Sequence, residues 1–344
     1  MRAVEQPHLW PAFSSLPIEL FLNVLDQLVG TRDGRQPIAY APSDPITKAL
    51  RALTLVSKGL YPATSGYLYT HCLYLHTSTN FSRFRRTLGF DRGYGRHPDA
   101  LQDGQPSRHE RLFMDANLLS HITSLFISPQ KTNECGSPKV WLSQVIDLCN
   151  TVGPTLKRLA MDLGPVYSPR SSVQRINPHV RANNIFSTML NLEELVCSYE
   201  ITEYFPYPPP NLKRLAITSQ KADKAFMKFC FSIPTLETLF FLRQSELEAF
   251  HIQALFDHFI GRHLNVVLID ISSNHQTPES TRDWMPEDRV VIYEADVPKS
   301  YYGDEDDLVL CDDWVWTNAV NGTLWNQERR RMRSWSEVKA ILGS

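Results

Sequence analysis

The sequence predicts an α/β chain, with a small N-terminal unit of three short helices followed by an irregular array of strand, loop and helix repeats. Three observations carry this. Proline-marked helical patterns fill residues 14 to 75, and a fragment of the form Leu/Ile-x-x-Leu-x-apolar recurs five times between residues 121 and 242. Helical patterns separate most of those fragments, so each unit buries its apolar edge on the next and the array stacks into a curved solenoid. At 344 residues with 42% hydrophobic side chains, the chain is long enough for two domains or one extended array with a sizeable core.

The first helix is marked by Pro17, which suits the first helical position, and by Glu19, which lies where the positive end of the helix dipole favours an acid. Leu20, Phe21, Val24, Leu25 and Leu28 recur at three- and four-residue steps as one apolar stripe, and Gly30 stops the helix. After a polar loop, a second pattern runs from Ile46 through Leu50, Leu53, Leu55 and Val56 to Ser57-Lys58-Gly59. Pro62 opens a third helix that ends near Tyr67-Leu68-Tyr69. Three helices this short hold little core of their own and need something to lean on.

The repeated fragments are "HITSLFIS" (121–128), "TLKRLAMD" (155–162), "NLEELVCS" (191–198), "NLKRLAIT" (211–218) and "TLETLFFL" (235–242). With Leu125, Leu159, Leu195, Leu215 and Leu239 taken as equivalent, the steps are 34, 36, 20 and 24 residues. These are irregular but near the leucine-rich-repeat range once loops are inserted. Helical candidates are 141–153, 182–189, 224–233 and 245–260, and later strands are expected at 264–272 and 289–295. The resulting division is 14–75 for the helical unit, 76–300 for the repeat domain and 301–344 for a charged tail. The tail gathers Asp304, Glu305, Asp306, Asp307, Asp312 and Asp313, then "RRRMR" (329–333). Such a tail either folds back on a solenoid face or stays solvated.

Leu16-Pro17-x-Glu19 opening an amphipathic helix, then "LRALTLVSKGLYPATSGYLYTHCLYL" (50–75), resembles an F-box of the kind found in fungal F-box proteins. The resemblance implies docking on the Skp adaptor of a cullin ubiquitin ligase, with the downstream repeats holding a target protein. On the family pattern, Leu16, Pro17, Ile18, Leu20, Leu25, Leu55, Val56 and Ser57 touch the adaptor or shape the helices that do. Lys213, Arg214, Thr218 and Arg243, on strands and loops of the array, are the candidates for the target surface. Two departures stand out: the linker over residues 30 to 45 is long, and Leu60 replaces a tryptophan common in the family. They define the alternative, a non-catalytic repeat scaffold with a degenerate F-box.

Other chemistry is hard to find in the sequence. Hydrolase, zincin, P-loop and dinucleotide motifs are missing, so the chain is expected not to be an enzyme and to need no cofactor. The third reading, an enzyme with an unrecognised site, would require a pocket of convergent titratable groups. Cysteines at 72, 135, 149, 197, 230 and 311 form no CxxC pair and read as reduced thiols. His251, His258 and His263 lack metal-site spacing, and the 304–313 acids fail the EF-hand pattern and read as a solvated loop. A net charge of −2 favours no nucleic acid, and "SRFRRTL" (82–88) reads as an amphipathic link after the helical unit. No run of about 20 apolar residues is present to cross a membrane. The expectation is a cytoplasmic or nuclear protein, with "RRRMR" as a nuclear-import candidate.

Overall fold

The computed structural model describes residues 17–30, 37–90, 108–129, 140–163, 184–218, 224–242, 258–271, 283–285, 287–299 and 306–343. The fold is mixed α/β, with helices α1 (Ile18–Val29), α2 (Pro45–Leu53) and α3 (Tyr61–His71) first. Pro17 stands one residue ahead of its expected place. Its backbone is extended and its carbonyl accepts the N–H groups of Leu20 and Phe21 at 3.1 and 3.2 Å. The missing proline N–H costs nothing there, as at the first helical position. Asp44 caps α2 by accepting the Ile46 N–H at 2.7 Å. α2 stops at Leu53 instead of running on to Val56: the chain turns through 54–56, and Ser57 Oγ then takes the Leu60 N–H at 3.2 Å. Phe21, Leu25, Val29 and Leu50 form the small buried core of this unit.

The strands are β1 (Tyr74–Leu75), β2 (Ser124–Ile127), β3 (Arg158–Met161), β4 (Glu194–Ser198), β5 (Arg214–Thr218), β6 (Thr238–Leu242), β7 (Leu264–Ile271), β8 (Val290–Val297) and β9 (Arg330–Arg331). They lie in one sheet in chain order, parallel from β1 to β8, with β9 antiparallel on β8. The five repeated fragments are β2 to β6. Leu125, Leu159, Leu195, Leu215 and Leu239 are register partners, and the row continues through Val266 and Ile292. The sequence steps are irregular, but the register is even, because the connections absorb the difference.

A side-chain ladder ties the turn before each of β3 to β6 to the turn before the preceding strand. Thr155 Oγ1 donates to the Ile122 carbonyl, Asn191 Nδ2 to Pro154, Asn211 Nδ2 to Leu190 and Thr235 Oγ1 to Leu212, at 2.8, 2.7, 2.8 and 2.8 Å. Such bonds contribute roughly 0.5–1.5 kcal/mol each. They also satisfy turn carbonyls that would otherwise be left without a donor.

The leucine row faces the connecting elements. α4 (Ser78–Thr87), α5 (Arg108–Asp115), α6 (Leu142–Val152), α7 (Glu200–Tyr204) and α8 (Lys224–Phe231) lie between the strands in the chain. Phe81, Phe113, Leu148, Phe205 and Phe226 from these connections join the leucine row in the main core. Segment 182–189, expected as a helix, holds only a 3-10 turn at Ile185–Ser187. There Ser187 Oγ and Thr188 Oγ1 bond the carbonyls of Asn184 and Ile185, competing with helix formation. The helix expected at 245–260 falls outside the described residues except at its last three positions.

The opposite face carries Phe126, Ala160, Val196, Ala216, Phe240 and Val267, again register partners. Small residues in the middle of this row let a helix approach. That helix is α9 (Asp307–Val320), which buries Cys311, Val315, Trp316 and Ala319 against the row. The 304–313 acids therefore do not form a solvated loop over their described part: Asp306 caps α9 through the Leu308 N–H at 2.8 Å, and Asp307 lies in its first turn, where the dipole favours an acid. Beyond it, Met332 is buried, and α10 (Trp335–Leu342) starts on a Ser334/Glu337 capping box. Residues 307–332 are thus folded onto the sheet through α9, β9 and Met332, and the boundaries at 75 and 301 do not divide it: β1 begins three residues after α3 ends, and β9 extends the same ladder.

Candidate functional site

The apolar stripe of α1 is wider than the helical unit can bury. Phe21, Leu25 and Val29 turn inward. Leu20 and Val24, one turn apart, stay 50% and 55% exposed, and Ile18 in the first turn is 46% exposed. At the turn after α2, Leu55 is 86% and Val56 52% exposed, beside an exposed Ser57. These two side chains lie past the end of α2, so no helix face carries them inward. Pro17 is exposed as well. Scattered exposed leucines are ordinary, but five large exposed apolar side chains beside a core of only four buried ones, with Leu28, Ile46, Leu53 and Leu60 partly buried around it, are an imbalance.

The remaining sequence candidates separate. Leu25 is fully buried in the core of the unit and shapes the helices without being available to a partner. Thr218 is buried at the end of β5, because its side chain follows the strand alternation into the sheet. Lys213 is exposed and pairs with Glu193 at 3.4 Å. Arg214 is half-buried, ion-paired with Glu194, and its guanidinium lies 5.6 Å from the Trp325 ring centre. Leu16 and Arg243 lie outside the described residues. Arg85, in the "SRFRRTL" segment, points inward: it is buried, donates to the Gln144 carbonyl at 2.7 Å and lies over Phe90.

The sequence reading overlooked a charge pattern. Between the two leucines of successive fragments stand Lys157-Arg158, Glu193-Glu194, Lys213-Arg214 and Glu237-Thr238. In the sheet, Ser124, Arg158, Glu194, Arg214 and Thr238 are consecutive register partners, so basic and acidic side chains alternate across the strand starts. The signal was present in the fragments and becomes legible only when they are aligned as cross-strand neighbours. Arg158 Nε donates to Ser124 Oγ at 2.9 Å, and Trp325 Nε1 donates to Glu194 at 3.3 Å.

This row borders a cleft of about 490 Å³ between the helical unit and the starts of β2 to β5. On the far wall the ends of α1 and α3 are closed by Tyr40, whose N–H donates to the His71 carbonyl at 2.8 Å and whose hydroxyl donates to the Val29 carbonyl at 3.3 Å. Burial, reinforced by the positive charge of Arg158 and partly opposed by Asp26, pushes His71 down to about 4. Burial lowers Arg158 as well, with Glu194 opposing and Arg214 adding to the effect.

Among the described residues no group of three or more His, Cys, Asp or Glu side chains is placed to hold a metal ion. Among them also, no helix is long and apolar enough to cross a membrane. Comparison of the chain with family models, curated proteins and solved structures finds no match.

Proposed function

We propose that the chain is the substrate-recognition subunit of an Skp–cullin–F-box E3 ubiquitin ligase. In this reading the helical unit is an F-box, and the sequential parallel sheet is an irregular leucine-rich-repeat-like solenoid that holds a target protein. The chain itself performs no chemistry. It raises the effective concentration of ubiquitin-loaded enzyme beside the target, in the cytoplasm or nucleus. The observation that carries the proposal is the unburied apolar set Ile18, Leu20, Val24, Leu55 and Val56, next to Pro17 and Ser57, on a unit that is otherwise packed. An amphipathic helix with apolar side chains left outside suits a groove in a partner.

The test is co-purification of the full chain with the Skp adaptor, beside Leu20→Ser/Leu55→Ser and Leu25→Ala. The exposed pair should abolish binding with unchanged circular dichroism, whereas Leu25→Ala should lower stability by about 2–5 kcal/mol and lose binding only as the unit unfolds. No binding by the folded wild type would reject the ligase reading. A repeat scaffold with a degenerate F-box is the second reading. It is favoured by α9 lying on the sheet face that a solenoid would otherwise offer to a target.

A further inference from the structure

Lys157, Glu193, Lys213 and Glu237 stand immediately before β3, the Glu194 strand, β5 and the Thr238 strand, and all four are exposed. Three residues ahead of each, an exposed apolar residue occupies the turn: Pro154, Leu190, Pro210 and Pro234. Backbone bonds step the charged row from strand to strand. The Glu193 N–H donates to the Lys157 carbonyl, that of Lys213 to Glu193 and that of Glu237 to Lys213, at 2.8, 2.9 and 2.8 Å. Asn191 and Asn211 link the turn row in the same order, through the carbonyls of Pro154 and Leu190. The charges therefore read plus, minus, plus, minus at even spacing along the rim where β3 to β6 begin. The row ends there, because its next members on either side are the uncharged Thr123 and Asn265. At its centre Glu193 and Lys213 pair at 3.4 Å, each side chain still 48% exposed. At its ends, Lys157 and Glu237 make no ion pair among the described residues. Attraction within the sheet uses the middle of the row and leaves its ends.

We propose that this rim is a self-association surface whose occupant is a second copy of the chain, related by a two-fold axis between β4 and β5. A two-fold axis there reverses the row, so plus, minus, plus, minus meets minus, plus, minus, plus. Lys157 then faces the partner's Glu237 and Glu193 faces the partner's Lys213, and the other two contacts repeat these. No like charges meet. The turn row obeys the same operation, with Pro154 against the partner's Pro234 and Leu190 against the partner's Pro210. A row of one sign, or an alternating row with an odd number of charges, would set like charges opposite each other under that operation. The rim is smaller than a standard interface of roughly 20–30 residues a side, so the dimer is weak and reversible. The inference does not rest on the ligase reading, because the apolar docking set lies on α1 and after α2, outside the rim. Where that reading holds, α9 fills the sheet face and a target is left the same strand starts, so the second copy competes with it.

The test is sedimentation velocity of the full chain over a concentration series, at about 50 and about 300 mM sodium chloride. The expected result is a reversible dimer whose dissociation constant rises with salt. Lys157→Glu and Glu237→Lys change exposed positions and should leave circular dichroism unaltered. Each should weaken the dimer at least about tenfold, because one reversal places like charges at two symmetric contacts. Mixed in equal amounts, the two variants should recover the wild-type constant, since every contact in the mixed dimer again joins opposite charges. A chain that stays monomeric throughout the series, a dimer unaffected by either reversal, or a mixture as weak as its components would each overturn the proposal. So would a dimer lost in Leu20→Ser/Leu55→Ser but kept in both reversals, which would belong to the apolar docking set.

Discussion

Replacing Glu194 by Gln should loosen the sheet more than removal of any exposed ion pair in the same row. Glu194 is only 8% exposed, receives Arg214 and the Trp325 indole N–H, and stands in register between Arg158 and Arg214. The substitution keeps the shape and removes the charge, leaving two arginines as closer neighbours than their surroundings favour. Breaking a fully buried pair costs about 3–5 kcal/mol. The Arg214 side chain is 40% exposed, so water recovers part of that, and a loss of about 2 kcal/mol is expected. The assay is urea unfolding followed by far-ultraviolet circular dichroism and tryptophan fluorescence, with a double-mutant cycle to Arg214→Gln. The pair should couple by about 1 kcal/mol. Glu193→Gln, whose partner Lys213 is half-exposed at 3.4 Å, is the internal comparison and should cost no more than about 1 kcal/mol. If Glu194→Gln changes stability by less than about 0.5 kcal/mol, or if the two single losses simply add, the row is an ordinary surface feature and the reasoning fails.

Gly153 follows α6 where a Cβ would sit 2.6 Å from Thr188 Oγ1 and 3.2 Å from Met189 Cγ, so Gly153→Ala should destabilise by about 1–3 kcal/mol in the same urea assay; a neutral or stabilising outcome would mean that Thr188 swings away freely. The five described cysteines should resist iodoacetamide in the folded chain at pH 8 and react in urea. Burial pushes Cys72 up to about 11 and Cys149 and Cys311 up to about 12. Because the thiolate is the reactive form, any native labelling of Cys72 should rise about tenfold per pH unit as the pH climbs toward its raised value.

The parts of the fold that were legible in the sequence are those set by short-range periodicity. Pro17, the three-residue leucine spacing and the run "LNVVLIDIS" place α1, five strands and β7 within a residue or two, because each records a constraint met locally. What the sequence concealed depends on partners far away in the chain. Nothing in "YYGDEDDLVLCDDW" announces that Cys311, with Trp316 just beyond the segment, will pack in one core with Phe126 and Phe240 on the sheet face, since the acids dominate its composition. The same limit split the α1 stripe: periodicity groups Leu20 and Val24 with Phe21 and Leu25, and only the size of the available core decides which pair is left outside. Residue 85 reads as a surface arginine beside phenylalanine until α6 arrives to accept its hydrogen bond.

The sheet face opposite the leucine row and the outer side of the helical unit pose one physical problem and reach different outcomes. Both present apolar side chains that their local elements cannot bury. On the sheet, α9 returns from the far end of the chain, and the alanines and valines of the middle strands give it room, so the larger surface is closed internally. On the helical unit no described segment returns to Leu20, Val24, Leu55 and Val56. Under the proposed reading, that second surface, left open by the described residues, is the one that meets the adaptor. The same reading leaves a target the exposed strand starts around Lys157 and Lys213, because α9 fills the sheet face opposite the leucine row.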